Sequence, residues 1–136
     1  MSDKTLTLEI VTPQRKILSE KVKAFVVPAV QGSMGVLYNH APIIAELEMG
    51  EIKYKVDDKY EIISLCSTGF LELSDNKATI IANTAELACD IDLERAKAAR
   101  ERALRRLKGQ DKEIDMLRAE LALKRAMIRI KAKEHQ

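Results

Sequence analysis

The chain has 136 residues, 46% hydrophobic but only 4% aromatic with no Trp, which suits one ordinary domain, or a small domain with an appendage, around an aliphatic core. Cys66 and Cys89 lack metal-ligand spacing and sit in apolar surroundings, which excludes a disulfide framework and fits buried thiols in a reducing compartment. With a net charge of +2, no signal-like apolar N-terminus and no run near the ~18 apolar residues of a membrane span, a soluble protein is expected, associating with membranes only through a partner.

From the N-terminus, Leu6, Leu8 and Ile10 alternate with Thr7, Glu9 and Val11, the period of a strand with one buried face. Thr12-Pro13 ends it. Strands are predicted next at Lys16–Leu18 and Lys21–Pro28. The irregular stretch AVQGSMGVLYNHAP, Ala29 to Pro42, reads as a shaped loop with a short strand around Val36–Leu37. Ile43–Glu48 is another strand and Gly50 a turn. Glu51–Val56 and Tyr60–Cys66 pair across Asp57-Asp58-Lys59, and Phe70–Leu73 and Ala78–Ala82 across Ser74-Asp75-Asn76-Lys77. Short strands with regular turn signals and no intervening helix predict an antiparallel β-sandwich or flattened barrel.

Near Ala88 the composition shifts. Residues 1–87 carry 9 Lys and Arg against 12 Asp and Glu, whereas residues 88–136 carry 14 against 9. We therefore predict two domains, 1–87 and 88–136, the second an antiparallel two-helix hairpin over Asp90–Lys133. Asp92 can cap the first helix, Gly109 can close it and Asp111 can cap the second. Ala96, Ala99, Ala103 and Leu107 share one narrow stripe of the first helix, and alanines permit close approach of a partner. The second helix carries two apolar stripes on roughly opposite sides: Ile114, Leu117, Leu121 and Ile128, and Met116, Ala119, Leu123, Met127 and Ile130. Such a helix is either sandwiched between its mate and the rest of the chain or has more than one docking option.

Catalytic constellations are missing from the pattern. His40 and His135 are the only histidines and neither has a partner at metal-ligand spacing. Ser33, Ser64, Ser67 and Ser74 lack a nucleophile-elbow context, and the Gly32/Gly35 loop lacks the order of a phosphate loop. The arginine cluster Arg100, Arg102, Arg105 and Arg106 admits three readings. It is a solvated face, a phosphate-contacting nucleic-acid surface, or part of a clamp for a small anion, with Arg95/Arg102 facing Arg125/Arg129. Interrupting acids and the absence of aromatics in the hairpin weigh against nucleic acid.

LEIVTPQRKI at Leu8–Ile17, QGSMGVLYNHAPII at Gln31–Ile44, TGFLEL at Thr68–Leu73, Ala85-Glu86 and IDLERAKAARERA at Ile91–Ala103 form an ordered set. With it the chain resembles the epsilon subunits of bacterial F-type ATP synthases from end to end. The resemblance implies a non-catalytic rotor subunit of the central stalk, peripheral at the cytoplasmic face of the bacterial membrane and requiring no cofactor or metal. Its sandwich would bind the gamma subunit, and its loop end would rest on the c-ring through Gln31, Ser33, Tyr38 and His40. Ala29 and Gln31 stand where relatives often have Gly and an acid, and Thr68 where they have Gly; these departures bear on individual polar contacts.

The family's hairpin can lie folded or extend toward the catalytic alpha/beta head and block ATP hydrolysis. Some members bind ATP on the folded hairpin through an I/L-D-x-x-R-A motif. Ile91, Asp92, Arg95 and Ala96 match it directly, and Glu86, Arg102, Arg125 and Arg129 fall at the accompanying positions. ATP is therefore expected as a regulatory ligand. The competing expectations are a purely structural coupling subunit and a basic nucleic-acid adaptor.

Overall fold

The computed structural model describes residues 4–109 and 113–136. Strand β1 (Leu6–Val11) buries Leu6, Leu8 and Ile10 as its alternation dictates. It pairs antiparallel with β2 (Lys16–Val22) on one side and, on the other, parallel with a strand from the far end of the domain, β9 (Lys77–Ala82). That parallel pair departs from the all-antiparallel expectation. The predicted breaks at Leu18 and Lys21 are absent: β2 runs unbroken to Val22, and β3 is Ala24–Ala29.

The Ala29–Pro42 stretch is also more regular than expected. A full strand, β4 (Gly32–Leu37), pairs along all of β3 across the turn Val30-Gln31. Gly32 has φ +128°, a region L side chains rarely adopt, so a glycine suits the position where this hairpin turns. β5 (Ile43–Leu47), β6 (Gly50–Val56), β7 (Lys59–Leu65), β8 (Gly69–Ser74) and β10 (Ala85–Leu87) complete the sheet. Asp75 and Asn76 both take positive φ between β8 and β9, as a tight two-residue hairpin requires. Gly69 is fixed by packing instead: a Cβ there would lie 2.7 Å from the Ile81 carbonyl oxygen.

The strand order is β10-β7-β6-β3-β5-β8-β9-β1-β2, with β4 on β3. β3 joins the two layers. Its first half pairs with β6, and its last residue, Ala29, pairs with Leu47 of β5. Val30 N–H to the Glu46 carbonyl and Glu48 N–H to the Pro28 carbonyl, both 2.9 Å, lock this corner. Between the layers lies one aliphatic core that includes Leu8, Ile10, Val22, Phe25, Val27, Leu47, Ile52, Ile63, Leu65, Leu71 and Ile80. Each fully buried side chain of this kind contributes about 1.5–3 kcal/mol, so this core carries the stability of the domain.

A 3-10 turn (Ala88–Asp90) leads into α1 (Leu93–Gly109), which is followed by α2 (Glu113–His135). Asp92 caps α1 as expected, its carboxylate accepting from Arg95 N–H at 3.1 Å. Gly109 is the last residue of α1; the proposed cap Asp111 lies outside the described residues. The seam between the helices is made of small residues, with Ala96 and Ala103 from α1 and Ala119 and Ala126 from α2 all buried. Seven-residue spacing in both helices keeps those alanines on one line, and their size lets the backbones approach closely.

The second helix bears out the two-stripe expectation only in part. Ala119 and Ile130 of the second stripe are buried, but Met116 and Met127 of that stripe, and Leu117 and Leu121 of the first, are exposed. At an alanine seam there is no room for large side chains, so they flank it. Ala126, in neither stripe, is 1% exposed.

Candidate functional site

Hairpin and sandwich meet along α2, and the chemistry of the molecule collects there. A second, small core forms from Ile62 on β7, Ala88 and Ile91 of the connection, and Ala132 of α2. Around it polar contacts cross. The Cys66 thiol donates to the Arg125 carbonyl at 3.9 Å, Lys133 Nζ to the Ala88 and Cys89 carbonyls at 3.3 and 3.4 Å, and Arg129 Nε to Glu86 Oε1 at 2.5 Å. Burial pushes the Cys66 thiol up, with Arg129 pulling the other way. For Arg129 burial is the largest single influence and acts to lower the pKa, but the hydrogen bond to Glu86 and the charges of Cys66 and Glu86 together outweigh it, so the guanidinium is held charged.

Beside the Glu86–Arg129 pair opens a cleft of about 330 Å³, lined by Glu86, Asp90, Ile91, Asp92, Arg95, Ala96, Ala99, Arg102 and Arg129. Seven of the eight residues singled out for nucleotide in the sequence are thus brought together. β10 supplies Glu86, the connection Ile91 and Asp92, α1 Arg95, Ala96 and Arg102, and α2 Arg129. Arg125, one turn before Arg129 on α2, is not among the lining residues. Asp90 and Ala99 line the cleft without having been singled out. Ala99 was legible as the i+3 neighbour of Ala96 and the i−3 neighbour of Arg102; Asp90 carried no spacing signal. Three guanidiniums facing carboxylates suit a ligand with an anionic end, bound through planar charge-assisted donors, and a hydrogen-bonding end. Arg105 and Arg106 are exposed, the solvated-face reading for that part of the cluster.

The four residues expected at a ring contact do not form one group. Gln31 and Ser33 lie at the turn end of the β3–β4 hairpin. Tyr38 and His40 follow the other end of β4, about 17 Å away at the rise of an extended strand. There Asn39 and Asn76 bind each other, Asn39 N–H to Asn76 Oδ1 at 2.7 Å and Asn76 Nδ2 to Asn39 Oδ1 at 3.2 Å, joining this loop to the β8–β9 turn.

Among the described residues no group of His, Cys, Asp and Glu could hold a metal ion, and no helix is long and apolar enough to cross a membrane. Fold and site define a two-part protein, a sandwich carrying a docked helical hairpin with a polar cleft at the joint.

The profile of the ATP synthase delta/epsilon chain β-sandwich domain matches residues 5–88, and that of the delta/epsilon long α-helix domain matches residues 90–134. An ATP synthase epsilon chain of Pelotomaculum thermopropionicum is 52% identical over 108 residues, covering 79% of each chain. One from Desulfitobacterium hafniense is 50% identical over 103 residues, covering 76% of this chain and 77% of its own. Among solved structures, a chain of the Euglena gracilis mitochondrial ATP synthase superposes with a TM-score of 0.78 at 25% identity, covering 97% of this chain and 81% of that one. A chain from the Tetrahymena thermophila mitochondrial enzyme shares the fold, with a TM-score of 0.59 at 14% identity over 93% of this chain and 95% of its own. The chain belongs to the ATP synthase delta/epsilon chain family. It is of the epsilon type, a non-catalytic stalk subunit of the F-type enzyme.

Proposed function

We propose that this subunit couples the gamma subunit to the c-ring through its sandwich, at the cytoplasmic face of the bacterial membrane, and that its hairpin is a nucleotide-responsive brake on ATP hydrolysis. The observation that carries the regulatory half is the cleft, where the docked hairpin gathers Arg95, Arg102 and Arg129 opposite Glu86, Asp90 and Asp92. Those groups come from β10, the connection, α1 and α2, so the cleft exists only while the hairpin lies on the sandwich. A ligand bound there stabilises the docked form by its differential affinity. ATP fits the chemistry: its phosphates suit the arginines, and its ribose and adenine donors suit the carboxylates. When ATP falls, the undocked hairpin becomes free to reach the alpha/beta head.

For the structural half, Gln31 and Ser33 at one end of β4, and Tyr38 and His40 at the other, offer two separate contact points. We assign Tyr38 and His40, tied to the β8–β9 turn, and Gln31 and Ser33 to the c-ring as alternatives that cross-linking from each position separates.

Calorimetric titration of the protein with ATP, with and without magnesium and beside ADP, tests the brake. Arg129→Ala removes charge-assisted hydrogen bonds of about 1.5–3 kcal/mol, so affinity should fall about 10- to 100-fold. Arg125→Ala, outside the cleft lining, should weaken binding less. Absence of binding at millimolar ATP removes the nucleotide-sensing role and leaves a structural coupling subunit.

A further inference from the structure

Beyond the cleft, α2 is fastened to the sandwich a second time, at its last turn. Glu51 projects from β6 with its side chain 11% exposed, and α2 takes both of its oxygens. Lys131 Nζ lies 3.8 Å from Oε1, and His135 Nδ1 lies 3.1 Å from Oε2. Residues four apart share a helix face, so one carboxylate serves both cations. We propose that Glu51, Lys131 and His135 form a pH-sensitive latch that holds the hairpin on the sandwich and engages when His135 is protonated.

A neutral imidazole offers Glu51 at most one uncharged donor at Nδ1, and only in one tautomer. The imidazolium always donates there and carries a charge toward a mostly buried carboxylate, roughly doubling the strength of the contact. His135 is also the final residue of α2, where a cation meets the negative end of the helix dipole. Lys131 opposes this only partly, because each cation has its own carboxylate oxygen.

The other titratable and charged groups around the docking face include Lys53 on the same face of β6 as Glu51, Glu86 of β10, Cys66 after β7, Cys89 and Asp90 of the connection, and Arg125, Arg129, Lys133 and Glu134 of α2. Imidazole is the side chain whose ordinary charge change falls between about pH 5 and 8. The latch is complete while His135 is protonated and is lost when it is neutral, so acidification favours the docked hairpin. This inference concerns docking alone and does not rest on ATP occupying the cleft.

Hydrogen–deuterium exchange on the full chain tests it, with each amide corrected for its intrinsic rate at each pH. Protection over residues 125–135 should fall about five- to tenfold between about pH 5.5 and 8, while the β8 and β9 amides hold steady. His135→Gln keeps a hydrogen-bonding side chain that does not titrate, and should flatten the dependence at the weak-latch level. Glu51→Gln should flatten it too. A flat wild-type profile, or a full fall retained in either variant, overturns the latch.

Discussion

Tyr54 shows how one side chain can read the integrity of the sandwich. It is 4% exposed on β6, and its hydroxyl is pushed up to about 12, first by burial and then by the charges of Glu20 and Glu61. An unfolded tyrosine ionises near pH ~10, so between these values the native chain holds a proton that the unfolded chain has released. Stability from this group is therefore complete below about pH 10 and is lost as pH rises toward 12. Alkaline denaturation followed by tyrosinate absorbance should show Tyr54 ionising together with unfolding. Tyr54→Phe should remove the steepest part of that alkaline loss. Ionisation of Tyr54 before any loss of structure would contradict the burial argument.

The same scale explains what of the cleft could be read in advance. Asp92, Arg95, Ala96 and Arg102 lie on a single helix and its cap, so the geometry of one α-helix fixes their mutual positions and spacing reveals them. Glu86 and Arg129 meet across 43 residues of sequence, and only family resemblance brought them together. Arg125 failed to join the lining because its direction depends on how α2 is rotated on the sandwich, and that is set by distant packing.

At the level of elements, legibility followed the strength of periodicity. Leu6–Val11 and the β8–β9 hairpin alternate plainly, and the structure buries Leu6, Leu8, Ile10, Leu71, Leu73, Ala78 and Ile80 while Phe70 and Ile81 face outward. β4 was hidden because Gly32, Ser33 and Gly35 give little alternation to see; its strand character comes from pairing with β3. α2 misled for the opposite reason. Its large apolar residues dominate any helical projection, whereas the seam is made of Ala119 and Ala126.

That seam makes a prediction about α2. Ala126→Leu adds three carbons where the helices touch, and overpacking of this kind costs about 1–3 kcal/mol. Because the sandwich core contains no residue of α1 or α2, the cost should fall on the hairpin alone. Helical signal should melt earlier than in wild type while exchange protection in β8 and β9 is unchanged. Leu117→Ala, at a side chain 59% exposed, is the control and should shift neither. A common loss across strands and helices would mean that hairpin and sandwich unfold as one unit.

For the molecule as a whole, the two cores differ in what they ask of the chain. The sandwich closes a large aliphatic core entirely from residues between Leu6 and Ala85. The junction's buried cluster has four small or medium apolar residues, only one of them from α2, and polar contacts cross it at Glu86–Arg129, Cys66–Arg125, Glu51 with Lys131 and His135, and Lys133 on two carbonyls. Charged contacts at a partly open joint are sensitive to salt, pH and ligands, whereas buried aliphatic packing is not. Loosening of this joint should therefore leave the sandwich folded, as the proposed brake requires. A chain ending at Leu87 should keep a cooperative sandwich transition, with Tyr54 still buried, and should still assemble into the stalk. Its ATP synthase should hydrolyse ATP faster than the enzyme carrying the full chain, and that excess should be largest at low ATP, where the cleft is empty. An unchanged rate at every ATP concentration would assign the hairpin to structural coupling alone.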